Sequence, residues 1–94
     1  TPEELLAAAH ATCFSMAFSN ELKKNDTPPT EVRTTAEVTF VAGTGITGIK
    51  LTVNATVEGI DEETFQTIAN GAKVGCPVSQ ALKAVDITLD ATLA

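Results

Sequence analysis

Asp26-Thr27-Pro28-Pro29 divides this sequence into two regimes of hydrophobic periodicity. Before it, apolar side chains recur at helical spacing; after it, they alternate with polar ones. A proline has no backbone N–H, and it pushes the residue before it towards extended conformations, so two in succession stop a helix. A helix must therefore end here and sheet begin, which makes the chain α+β.

The leading helix has a clear start. Thr1, Pro2 and Glu4 occupy the N-cap, first and third positions of a capping box. From Leu5 to about Lys24, one set of rows carries Leu5, Ala9, Cys13 and Met16, and neighbouring rows carry Leu6, Phe14, Ala17 and Phe18. Apolar cover over so much of the circumference predicts a central buried helix packed on several sides.

Beyond the break, Val32, Thr34, Ala36, Val38 and Phe40 alternate with polar residues, and so do Ile49, Leu51, Val53, Ala55 and Val57, with Gly43-Thr44-Gly45 between the two runs. This predicts two strands joined as an antiparallel hairpin. Asp61 is a suitable N-cap for a second, amphipathic helix whose face holds Phe65, Ile68, Ala69, Ala72 and Cys76. Gly75-Cys76-Pro77 predicts a kink and a new short helix over Val78 to Lys83. Val85, Ile87, Leu89, Ala91 and Leu93 alternate as a third strand. The expected order is α-β-β-α-β, with the central helix and second helix packed against an antiparallel sheet. Three strands leave two sheet edges for another segment or chain to cover.

With 94 residues, 44% of them hydrophobic, the chain is expected to form one domain over residues 1–94. A net charge of -6 argues against nucleic-acid or anionic-lipid partners. The apolar stretch Leu5 to Phe18 is too short to cross a bilayer, and no basic segment or cleavage pattern marks a signal peptide. Two widely separated cysteines do not form a secreted disulfide framework, so a cytoplasmic location is expected. Thr1 stands directly at a helix start where a methionine would open a complete chain, so the domain is expected to be N-terminally incomplete.

Cysteine is the residue type whose placement points to chemistry. Cys13 falls mid-helix, where the helix dipole does little for its acidity. Cys76, beside Pro77 at a helix start, is better placed for stabilisation of its thiolate by free backbone N–H groups. Both also fit the reading of small buried hydrophobes. His10 precedes Cys13 by one helical turn, which permits a Cys/His nucleophile pair but supplies no third group to orient the imidazole. His10, Cys13 and Cys76 could supply three zinc ligands, without a fourth or a C-x-x-C spacing. The glycines form no nucleotide fingerprint.

The segment Thr1 to Ala17, containing Ala8-Ala9-His10-Ala11 and Phe14-Ser15-Met16-Ala17, resembles one signature of the OsmC/Ohr family of thiol peroxidases. Gly75-Cys76-Pro77-Val78-Ser79-Gln80-Ala81-Leu82 resembles the other. The wording is closer to the OsmC-like branch (osmotically inducible protein C) than to the organic hydroperoxide resistance branch. The resemblance covers essentially the whole chain.

It implies an OsmC-like fold and reduction of organic hydroperoxides, and less well hydrogen peroxide, in oxidative or osmotic stress. Cys13 would be the peroxidatic thiol and Cys76 the resolving thiol, reversing the local ranking of acidity. It further implies a dithiol reductant of the dihydrolipoyl type, no cofactor or metal, and an intertwined homodimer. Glu3 would help to hold an activating arginine, but along one helix it lies about 15 Å from Cys13, so a second chain is required. In the family that arginine lies in an upstream β segment. Arg33, the only arginine here, sits in a strand and does not correspond to it. Without the cation a mid-helix cysteine stays mostly protonated and slow. A non-catalytic OsmC-like module that binds a hydrophobic small molecule in a crevice around Phe14, Phe18 and Phe65 is the alternative.

Overall fold

A computed structural model describes residues 1–94. The elements are α1 (Pro2–Lys24), β1 (Pro29–Val41), β2 (Gly45–Val57), α2 (Glu62–Gly75), α3 (Pro77–Ala81) and β3 (Asp86–Leu93). Thr1 caps α1 as a capping box should: its hydroxyl accepts from the Glu4 N–H at 3.1 Å and donates to the Glu4 carboxylate at 3.0 Å. The helix ends one residue before Asn25, and Asp26 turns the chain with a φ of 62°, a left-handed conformation that aspartate tolerates.

The sheet order is β1-β2-β3. The hairpin β1–β2 is antiparallel, as expected, and turns at Gly43, whose φ of 83° a residue with a Cβ rarely adopts. β2 and β3, however, pair in parallel, so the sheet is mixed and the expectation of an antiparallel sheet is corrected. The reason is directional: α2 carries the chain back along the sheet, and a strand that follows one helical crossover must run the way the first strand ran. Parallel strands are usually covered on both faces, whereas the strict alternation of these strands leaves one face polar. Here the helices cover one face only.

Cross-strand register builds that covered face in rows: Val38, Ile49 and Ile87; Ala36, Leu51 and Leu89; Thr34, Val53 and Ala91; Val32, Ala55 and Leu93. On it lie Phe14, Phe18 and Leu22 from α1 and Phe65, Ala69 and Ala72 from α2. Phe18 stacks edge-on to Phe65 with ring centroids 5.4 Å apart and meets Phe14 at 5.5 Å. All three phenylalanines are fully buried, so they fill the core and line no crevice. The expected ligand site around them is therefore not there.

α1 also departs from expectation. It is buried along a single stripe, His10, Phe14, Phe18 and Leu22, while Leu5 and Met16 stay 74% and 69% exposed. Within this chain it is a helix with one covered face, because only the sheet and α2 and α3 lie against it. No helix is long and apolar enough to cross a membrane.

Candidate functional site: two thiols at a helix crossing

Three devices fix where the cysteines fall. Ser15 donates to the Thr34 hydroxyl at 2.6 Å and ties α1 to β1 two residues beyond Cys13. Gln66 donates to the Ala91 carbonyl at 2.7 Å, which holds α2 on β3. Between α2 and α3 the chain bends at Cys76, whose N–H still closes α2 on the Ala72 carbonyl at 2.9 Å and whose carbonyl receives the Gln80 N–H at 3.0 Å. Pro77 takes the first position of α3, where its missing N–H is harmless. The predicted kink and short helix are both present.

This bend turns the Cys76 sulfur towards Cys13, close enough that each thiol shifts the other's acidity, and both are free thiols. Cys13 is half-buried and lines an open groove of about 1200 Å³ with Ala9, Met16, Pro29, Val32 and Pro77. Cys76 is fully buried.

Burial, and then hydrogen bonding with Cys76, pushes the Cys13 thiol above its ordinary value, against a weaker pull from the Val78 N–H. Burial alone would do the same to Cys76. There it is outweighed by the Cys13 thiol, by the N–H and hydroxyl of Ser79 and by the Val78 N–H, and Cys76 ends below its ordinary value. Within this chain Cys76 is thus the more acidic thiol, as the local sequence argument expected.

His10 does not partner Cys13. Its imidazole is fully buried, and its Nε2 hydrogen-bonds the buried Ser79 hydroxyl at 2.6 Å. Burial holds its pKa below the usual 6.5, so the ring is neutral near pH 7. Histidine, cysteine and carboxylate side chains nowhere gather in threes in a geometry that would hold a metal ion. Glu3 lies in the first turn of α1 without an ion-pair partner, far along the helix from Cys13. Arg33 pairs with Glu31 at 3.2 Å on the sheet face turned away from α1. Ser79 was missed in the sequence. Its signal was a hydroxyl three residues after a cysteine that caps a helix, the spacing at which an N-cap and the third helical residue meet.

Fold and site together define a two-cysteine thiol domain: a long helix and a bent helix pair laid on one face of a small mixed sheet so that two distant thiols meet. A sequence model of the OsmC-like protein family matches residues 1–90. Peroxiredoxin OsmC of Escherichia coli (strain K12) is 53% identical over 92 residues, 95% of this chain and 64% of that protein. The organic hydroperoxide resistance protein of Xanthomonas axonopodis pv. citri is 33% identical over 94% of this chain and 63% of its own length. A solved organic hydroperoxide resistance protein OsmC from Legionella pneumophila superposes with a TM-score of 0.77 at 25% identity, covering 99% of this chain and 69% of that one. The chain belongs to the OsmC-like protein family, and it spans just under two thirds of the length of these curated relatives.

Proposed function

We propose that this chain is the thiol-bearing part of a peroxidase that reduces organic hydroperoxides. The observation that carries the reading is that Cys13, open to a groove, lies beside a fully buried Cys76. The names of the relatives, peroxiredoxin and organic hydroperoxide resistance protein, favour the same chemistry.

In the proposed cycle the Cys13 thiolate attacks the terminal oxygen of the hydroperoxide. The O–O bond breaks, the alkoxide leaves and takes a proton to become the alcohol, and Cys13 becomes a sulfenic acid. The Cys76 thiolate then attacks the Cys13 sulfur. An S–S bond forms, hydroxide leaves and is protonated to water, and the disulfide stores the two oxidising equivalents. A dithiol of the dihydrolipoyl type resets the pair and is itself oxidised to a disulfide.

The division of roles follows access: a substrate reaches the thiol that lines the groove, and the buried thiol meets only its neighbour. The acidity of Cys13 runs against this assignment, since its thiol is pushed up. The reading therefore requires a cation from outside these residues, an arginine steadied by Glu3, delivered by an upstream segment or a second copy in a homodimer. The exposed Leu5 and Met16 on α1 and the free edges of β1 and β3 give such a chain a place to pack.

Titrating the intact protein with one equivalent of an organic hydroperoxide, followed by non-reducing peptide mapping, tests this. The expected product is a Cys13–Cys76 disulfide lighter than the dithiol by two hydrogens. Thiols that remain unmodified after hydroperoxide treatment would rule the reading out.

A further inference from the structure

His10 and Ser79 are the two polar residues in the buried interior, they come from opposite ends of the sequence, and the proposed cycle uses neither. Burying a polar pair costs free energy unless it is satisfied. This one is satisfied on one side only: Nε2 of His10 meets Ser79 Oγ, while Nδ1 is buried without a hydrogen-bond partner. An orphaned N–H is rarer in protein interiors than an under-used acceptor, so the proton belongs on Nε2 and the bare lone pair on Nδ1. Nε2–H then donates to Ser79 Oγ, and the Ser79 hydroxyl proton is left free to point elsewhere. Ser79 is the third residue of α3 and Cys76 its N-cap, so the Ser79 hydroxyl lies one helical turn from the Cys76 sulfur.

We propose that His10 and Ser79 form a positioning relay for Cys76, in which His10 fixes the Ser79 hydroxyl so that it donates to the Cys76 sulfur whenever that sulfur carries negative charge. Ser79 acts on the sulfur and His10 acts through Ser79. The ionisable groups that face Cys76 are the Cys13 thiol and, through Ser79, the neutral His10, both on α1; no charged side chain contributes to its acidity. The lowered pKa of Cys76 agrees with the geometry.

On the thiol-peroxidase reading, the relay acts when the disulfide is reopened. A thiolate of the external dithiol attacks the Cys13 sulfur, the Cys13–Cys76 bond breaks, and its electron pair leaves on Cys76. The second thiol of the reductant then displaces Cys13, completing a two-electron transfer that yields two protein thiols and an oxidised dithiol. A better-stabilised leaving thiolate makes the first of these steps faster.

The test is the thiolate ultraviolet absorbance of Cys76 as pH rises, read as the difference between the intact protein carrying Cys13→Ser and the same protein carrying Cys13→Ser with Cys76→Ser. Adding Ser79→Ala is expected to raise the Cys76 midpoint by about one pH unit, the tenfold effect of losing a hydrogen bond to a charged sulfur. Ser79→Thr keeps the hydroxyl and is expected to retain the original midpoint. His10→Phe is expected to shift it in the same direction as Ser79→Ala, by less. Midpoints that coincide in the Ser79→Ala and parent proteins, or a Ser79→Thr shift as large as that of Ser79→Ala, would overturn the relay. If Ser79→Ala does not fold, an unmoved midpoint in His10→Phe overturns it equally. None of these readouts needs peroxide, so failure of the disulfide to form would defeat the peroxidase reading and leave the relay standing or falling by its own result.

Discussion

Cys13 and Cys76 are the same residue in contact with each other, yet their surroundings push them in opposite directions. Cys13 stands in the middle of α1, where the backbone N–H groups of its own helix are already hydrogen-bonded, so it gains burial, a neighbouring sulfur and only a weaker pull from the Val78 N–H. Cys76 stands at a break between two helices, where the N–H groups of Val78 and Ser79 have no earlier carbonyl to bond and can serve a thiolate. The supports differ as well. Phe14, next to Cys13 in α1, belongs to the apolar core, and Ser79, one turn after Cys76, belongs to a buried polar pair with His10. A helix interior is thus a poor place to activate a thiol and a good place to display it, and a helix junction is the reverse.

The largest effect that would sharpen this contrast is on turnover. Cys13→Ser in the intact protein is expected to reduce hydroperoxide consumption on the order of 10³-fold or more, whereas Cys76→Ser should permit one round and then stall with a trappable sulfenic acid. Equal and complete loss of the first round in both variants would erase the distinction. Next comes the apolar support: Phe14→Ala should destabilise the fold by about 3–5 kcal/mol, measured by urea unfolding, since the ring is fully buried.

The polar support shows instead in pH dependence. Because burial lowers the His10 pKa in the folded chain, the unfolded chain binds more protons below the ordinary value of 6.5. Stability is therefore full above about pH 6.5 and falls as pH drops through the folded-state value. His10→Gln should flatten that portion of the curve in denaturant melts at a series of pH values. The smallest effect is expected far from both supports. Glu37→Gln, on the exposed sheet face opposite Lys50, should change stability by less than about 0.5 kcal/mol.

Much of this contrast was legible before any coordinates. The break at Pro28-Pro29, the capping box at Thr1 and Glu4, the cap at Asp61 and the kink at Pro77 are local events, decided by residues within one turn of each other. The acidity advantage of Cys76 could be argued from Pro77 alone, because a proline at a first helical position announces free N–H groups. The partner of His10 could not be read that way. Helical spacing offered Cys13, one turn away, and gave no reason to look across the molecule at Ser79.

What the sequence by itself determined is the set of elements and the alternating faces of the strands, since each depends on spacing of two or of three and four along a single segment. Tertiary structure alone decided the parallel pairing of β3, the closure of the phenylalanines into core, and the meeting of Cys13 with Cys76 and of His10 with Ser79. Those depend on where one element is carried relative to another. An alternating strand buries the same residues whichever way it runs, so periodicity carries no record of direction or of distant neighbours.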